Sequence, residues 1–303
     1  MHPATCPPLE MISWGDGNRS MDGRSSRRFK PQLTVCLLAC LSGAVLCLPL
    51  PAQEPQPTPE TQQTTSSEAP KPDMPTAKER EVSWRTLPQN FLQDQKEIWL
   101  FPRELGKGRH WLPVVGVAGA TAILIAADPH DTPYLRRTGS FEGFNDVFSG
   151  PITASGIALV PVAFLIGGHL RKDSYAEKTA LLAGEAYANG AVMEIAFKMA
   201  TRRLRPSDIP PAGNFSDTFF DSHKSVTGAN TSFPSGHTVS AFAVAAVFAH
   251  RYRRHRWVPW VAYGAAAAVG FSRVTLQSHF PSDMFLGAAL GYSISKFAVL
   301  RPR

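Results

Sequence analysis

An all-helical bundle is the fold that this 303-residue chain predicts, on three observations. Apolar or amphipathic runs of helical length recur between about residues 111 and 300, strand-like alternation is absent from them, and Gly, Pro and charged residues separate them. With 44% hydrophobic residues the chain has enough apolar side chains for one domain of about 200 residues. All four cysteines, Cys6, Cys36, Cys40 and Cys47, lie before the helical runs, so neither a disulfide framework nor a Cys-type zinc site is available to the folded part.

Residues 1–52 read as a signal peptide or an N-terminal anchor. Arg24, Arg27, Arg28 and Lys30 precede the apolar run LTVCLLACLSGAVLCL, and Pro49 to Ala52 offers a small-residue cleavage site. Residues 53–82 read as a disordered Pro-rich linker, because seven prolines between 51 and 75 leave almost no large apolar side chain to bury. Residues 83–109 form an amphipathic helical segment, with Phe91, Leu92, Ile98 and Trp99 turned toward the domain or a lipid surface. Residues 110–303 then hold six helices, at about 111–127, 151–169, 176–203, 236–253, 257–273 and 281–300. The segments AGATAILIAA, VAAVFAH and YGAAAAVGF are rich in Ala and Gly, which lets helices approach closely. One helix stands out as polar, carrying Glu177, Lys178, Glu185, Asn189 and Glu194.

The formal net charge is +7, and about +5 remains beyond residue 52, a balance that favours anionic partners only weakly and points to no nucleic acid. Three local clusters say more. In KMATRRLRP, Lys198 and Arg205 are two helical turns apart, so a continuous helix projects both from one face, and Pro206 ends it. Such a pair suits an anion, or equally a solvated basic helix end. Arg202 and Arg203 carry the same charge beside it. In PSGH, Ser235 and Gly236 open a helix whose first N–H groups form an anion cradle, and His237 lies in its first turn; a Ser N-cap with an incidental His is the alternative. In SRVTLQSHFPSD, Arg273 offers a planar fork, and His279 stands four residues before Asp283, a spacing at which a carboxylate can fix an imidazole tautomer.

Taken together, Lys198, Arg205-Pro206, then Pro234-Ser235-Gly236-His237, then Ser272-Arg273, His279 and Asp283 resemble the tripartite signature of the type 2 phosphatidic acid phosphatase superfamily, which also contains the vanadium haloperoxidases. Every signature position is filled in order, and the resemblance covers about Trp111 to Leu300. It implies the family's six-helix bundle core over residues 110–303 and a phosphatase that needs no metal or other cofactor. Lys198, Arg205, Ser235, Gly236 and Arg273 are then phosphate-binding, His279 the nucleophile that becomes phosphohistidine, Asp283 its orienting carboxylate, and His237 the acid and base. Arg202 and Arg203 hold no place in the signature, so their loss is expected to cost little.

The resemblance leaves the phosphate ester open: phosphatidic acid, phosphatidylglycerol phosphate, undecaprenyl diphosphate, lipid A phosphates and soluble esters share the reacting group. A vanadate-dependent haloperoxidase and an acid phosphatase for soluble esters are the alternative activities. Phe215, Phe219 and Phe220, between Ser207 and Ser232, are either lipid contacts or loop anchors. If all six helices spanned a membrane, the positive-inside rule would put the three clusters outside the cytoplasm, whereas an exported N-terminus would put them inside. An exported bundle at the membrane surface, its site facing the periplasm, resolves the conflict.

Overall fold

The computed structural model describes residues 80–302 apart from 138, 139, 149, 225, 226 and 229. The expected export segment, and the linker as far as residue 79, lie outside the described residues. Eight α-helices are present among them: α1 Leu87–Gly106, α2 Trp111–Arg137, α3 Glu142–Val147, α4 Gly150–Arg171, α5 Ser174–Thr201, α6 Gly236–Arg251, α7 Trp257–Thr275 and α8 Pro281–Ile294. A 3-10 turn at Pro206–Asp208 and a π turn at Ser295–Val299 accompany them, and no described residue forms a strand. Five of the six helices expected in the bundle fall close to their predicted limits. The other, α2, runs ten residues beyond 127 and through Pro129 and Pro133. A break is the local preference before a proline, but α2 is tied beyond that point: Asp128 is buried against Ser282 and Arg203, and Arg136 donates to the Pro206 carbonyl.

Helix α6 is the centre. Val239, Ala243 and Val247 are fully buried, and α5, α7 and α8 pack around it. Close approach depends on Gly291 of α8, where a Cβ would strike the Val239 carbonyl oxygen, and on Gly287, where it would meet the Ser235 carbonyl oxygen at 2.9 Å. By contrast, Gly119 and Gly264, which lie in the Ala/Gly-rich segments, have nothing within 4 Å of where a Cβ would stand.

Helix α2 is built inside out. Its buried residues are Thr121, Asp128 and Thr132, which share one helical face, while Leu112 is 85% and Ile123 72% exposed. Helix α4 also exposes Leu159, Val162, Ile166 and Leu170. Trp111–Arg137 and Ile152–Arg171 are long and apolar enough to cross a membrane.

Two of the polar residues of α5, Glu185 and Asn189, have internal partners. Arg80 donates from Nη2 to Glu185 Oε1 at 2.7 Å and from Nη1 to Asp94 and to the Val299 carbonyl. Asn189 donates to Asp94 and accepts from Gln95. These contacts fasten the chain before α1, and α1 itself, onto the bundle. Arg80 and Val82 are buried, so packing begins inside the stretch read as linker. Ile98 packs on the core, whereas Leu92 and Trp99 stay exposed.

Candidate active site

The antiparallel connections bring the C-terminal ends of α2, α5 and α7 together with the N-terminal ends of α4, α6 and α8. Arg136 reaches Pro206, Asp128 reaches Ser282, Ser235 N–H donates to the Asp283 carbonyl at 3.1 Å, and Arg273 reaches Phe148 and Thr153. All three sequence clusters therefore meet at one end of the bundle.

The first cluster differs from its sequence reading. Helix α5 stops at Thr201, and Arg202 caps it in the left-handed region, at φ 43° and ψ 43°. Arg205 is consequently in extended backbone at φ −84°, ψ 153°, and does not share a helical face with Lys198. Lys198 Nζ pairs with Glu194 Oε1 at 2.7 Å, one turn earlier on α5. The Nε of Arg205 is buried with no hydrogen-bond partner, an orphan donor of the kind that costs about 1–3 kcal/mol unless something answers it.

Arg203 is the larger correction. Far from being a spare surface cation, it is 1% exposed and tied to four residues. Its Nη1 donates to Asp283 Oδ1 at 2.6 Å and to Ser282 Oγ at 2.7 Å, its Nη2 to Asp128 Oδ2 at 2.7 Å, and its Nε to Thr218 Oγ1 at 3.0 Å. The rings of Phe280 and Phe219 flank the guanidinium at 3.9 and 4.4 Å. In the sequence nothing separates Arg203 from Arg202, since register within a helix terminus is set by where the helix stops.

Ser235 is the N-cap of α6 but its side chain caps no backbone N–H. Its hydroxyl accepts from Thr238 Oγ1 at 2.9 Å, which leaves its own proton to donate, beside the first-turn N–H groups that no helical carbonyl can reach. Gly236 is needed here for a reason the sequence did not reveal: the Glu194 carboxylate lies where its Cβ would be. His237 follows in the first turn, half-buried.

Helix α8 begins FPSD, with Pro at its first turn and Asp283 folded back so that Oδ2 accepts from the Phe280 N–H at 2.8 Å. The same oxygen accepts from Ser232 Oγ. Asp283 does not hydrogen-bond His279: Oδ2 lies 3.6 Å from Nδ1. The nearer partner of Nδ1 is the Ser232 carbonyl oxygen, at 2.7 Å. A carbonyl only accepts, so Nδ1 carries the proton and Nε2 the lone pair. Burial lowers the His279 pKa below the ordinary histidine range; Asp283 opposes this, and the positive charges of Lys198 and Arg205 add to it. Burial pushes the Asp283 carboxyl up, but the Arg203 guanidinium and His279 outweigh it and hold the group below the usual carboxylate range.

Arg273 is 2% exposed. Its Nη2 donates to the Phe148 carbonyl and to Thr153 Oγ1, and its Nε to Ser272 Oγ. Its carbonyl oxygen accepts from the His279 N–H at 3.1 Å, which sets the turn that delivers the histidine. Of the three loop phenylalanines, Phe215 packs with Ile209 and Phe280, Phe219 lies against Arg203 and Phe233, and Phe220 is 67% exposed.

Residues 179–302 match the PAP2 superfamily. Lipid A 1-phosphatase of Rhizobium etli is 40% identical over 95 residues, 31% of this chain and 38% of that protein. Lipid A 4'-phosphatase of Porphyromonas gingivalis is 30% identical over 101 residues, 33% of this chain and 41% of that protein. The chain thus spans less than half the length of the curated relatives it matches. The first transmembrane PAP2 type phosphatidylglycerolphosphate phosphatase from Bacillus subtilis overlays 67% of this chain and 92% of its own at 20% identity, with a TM-score of 0.37. That overlay is too loose to add to the family match, which holds all the signature residues from Lys198 to Asp283 and leaves α1 to α4 outside. Over residues 179–302, the segment that carries every signature residue from Lys198 to Asp283, the chain matches the PAP2 superfamily.

Proposed function

We propose that this protein is a membrane-associated phosphatase of the cell envelope that removes a phosphate monoester from a phosphorylated lipid of the lipid A class, through a phosphohistidine and without a metal ion. The observation that carries the chemistry is the bond from His279 Nδ1–H to the Ser232 carbonyl, which leaves Nε2 as a buried, unprotonated nucleophile. The similarity to lipid A 1- and 4'-phosphatases supports the substrate class.

Lys198, Arg205 and Arg273, with the Ser235 hydroxyl and the N–H groups at Gly236, hold the phosphoryl oxygens, and the orphan Arg205 Nε gains its acceptor. Three cations around one anion site repel a divalent cation, which supports metal independence. The Nε2 lone pair of His279 forms the N–P bond as the P–O ester bond breaks, and the departing alkoxide takes a proton from His237. The charge that appears on the ring is met by Asp283. In the second step His237 removes a proton from water, which attacks phosphorus, and the bonding pair returns to Nε2.

Helix α2, apolar outward and polar inward, and the exposed face of α4 support seating in a bilayer. A site facing the periplasm is part of the same proposal and rests on the export signal read in the sequence. The test is phosphate release from lipid A bearing the 1-phosphate or the 4'-phosphate, in detergent micelles with excess EDTA. Release that survives chelation is expected; loss on chelation with recovery on adding magnesium would contradict the reading.

A further inference from the structure

We propose that Arg203 is a positioning residue for catalysis, and that Asp128 of α2, outside the segment that matches the family, completes its work. The inference rests on the phosphohistidine reading above. Asp283 divides its two oxygens: Oδ2 is taken by Ser232 Oγ and the Phe280 N–H, and Oδ1 by Arg203. Arg203 thereby holds one oxygen of the carboxylate, while the other, kept by Ser232 and Phe280, lies 3.6 Å from the imidazole without a bond to it. The guanidinium is itself held rigidly, by acceptors on all three of its nitrogens and by aromatic rings flanking it.

The charges explain why two carboxylates are present. In their ordinary ionised forms Arg203, Asp128 and Asp283 sum to one negative charge while His279 is neutral. When Nε2 takes the phosphoryl group and Nδ1 keeps its proton, the ring becomes cationic and the cluster is neutral. Were Asp128 absent, Arg203 would cancel Asp283, and the new cation would find no net counter-charge. Were Arg203 absent, two buried carboxylates would face each other, and one would have to take up a proton. Asp128 also accepts from the Ser282 N–H and hydroxyl at the start of α8, so the link is mechanical as well as electrostatic.

Full-length wild type, Arg203→Lys and Asp128→Asn would be compared in detergent micelles, using p-nitrophenyl phosphate and 1-phosphorylated lipid A. Thermal unfolding sets an assay temperature at which each is folded, and rapid quenching gives the rate of phosphoenzyme formation. Asp128→Asn keeps a carbonyl for Nη2 and the Ser282 hydroxyl and removes the charge, together with the acceptor for the Ser282 N–H. It should keep KM within about twofold while phosphoenzyme formation slows by about thirtyfold or more. Arg203→Lys keeps the charge but loses the fork, and should slow the same step by at least about tenfold. If Arg203→Lys melts too low to assay, Asp128→Asn alone decides. Phosphoenzyme formation at the wild-type rate in folded Asp128→Asn, or an effect confined to KM, overturns the proposal. A wild type that forms no phosphoenzyme overturns instead the phosphohistidine reading beneath it.

Discussion

His279 Nδ1 lies 2.7 Å from the backbone carbonyl oxygen of Ser232, and that bond, rather than one to Asp283, assigns the imidazole tautomer. Backbone carries no sequence signature, so the four-residue spacing from His279 to Asp283 pointed to the carboxylate, 3.6 Å away, and not to this nearer acceptor. The division of labour has a consequence for pH. In the proposed mechanism the nucleophile is the neutral ring, and its pKa is lowered from the ordinary 6.5, first by burial and further by Lys198 and Arg205, against the pull of Asp283.

The acid limb of kcat/KM should accordingly lie below the ordinary histidine value, since activity is lost only when falling pH protonates Nε2. Lys198→Met removes one of the lowering charges and should move that limb to higher pH. Comparing wild type and variant on p-nitrophenyl phosphate cancels the ionisation of the substrate. An acid limb that stays put, or moves down, would contradict the assignment of His279 as the titrating group.

Gly236→Ala places a methyl group on the Glu194 carboxylate, which cannot swing aside without drawing Lys198 with it. A cost of about 1–3 kcal/mol in stability is expected from the overpacking, with KM raised as Lys198 is displaced. Adding Glu194→Ala should recover most of the stability. If the double variant melts no higher than Gly236→Ala, the clash is elsewhere.

Glu185 is pushed up to about 8 by burial, which outweighs the attraction of Arg80, and the neighbouring Asp94 carboxylate adds to the rise. A carboxyl whose folded pKa exceeds its unfolded value of 4.5 stabilises the fold fully below that value, and the contribution is lost as pH rises through about 8. The unfolding temperature should therefore fall across that window, and Glu185→Gln, which supplies a permanent amide in place of the proton, should flatten the fall. Equal slopes in both proteins would show that another group titrates.

Arg202 holds a left-handed conformation that costs a side-chain-bearing residue about 1 kcal/mol relative to glycine. Arg202→Gly should raise stability by about that amount in denaturant unfolding. A loss of stability would mean that the Arg202 side chain contributes contacts worth more than the strain.

The proposed cradle was legible because its residues stand at fixed spacings near helix ends, where local rules hold: Ser235 opens α6, Pro281 starts α8, and Pro206 follows α5. What stayed hidden depends on contacts between distant segments. Arg203 is 80 residues from Asp283 and 75 from Asp128, and Arg80 is 105 from Glu185. Glu185, Asn189 and Glu194 looked merely polar, yet the first two bind the N-terminal arm and the third supports Lys198. The end of α2 was hidden for the opposite reason: its prolines argue locally for a stop, and tertiary ties at Asp128 and Arg136 override them.

The most direct measurement is rapid-quench trapping of acid-labile phosphoenzyme on wild type, His237→Ala and His279→Ala, with p-nitrophenyl phosphate. Because p-nitrophenolate leaves without a proton, His237→Ala should still show a burst of p-nitrophenolate and accumulate phosphohistidine, followed by slow phosphate release as water activation fails. His279→Ala lacks the nucleophile and should show neither burst nor trapped phosphate. Phosphohistidine recovered from His279→Ala, or absent from His237→Ala, would contradict the central claim that Nε2 of His279 attacks phosphorus.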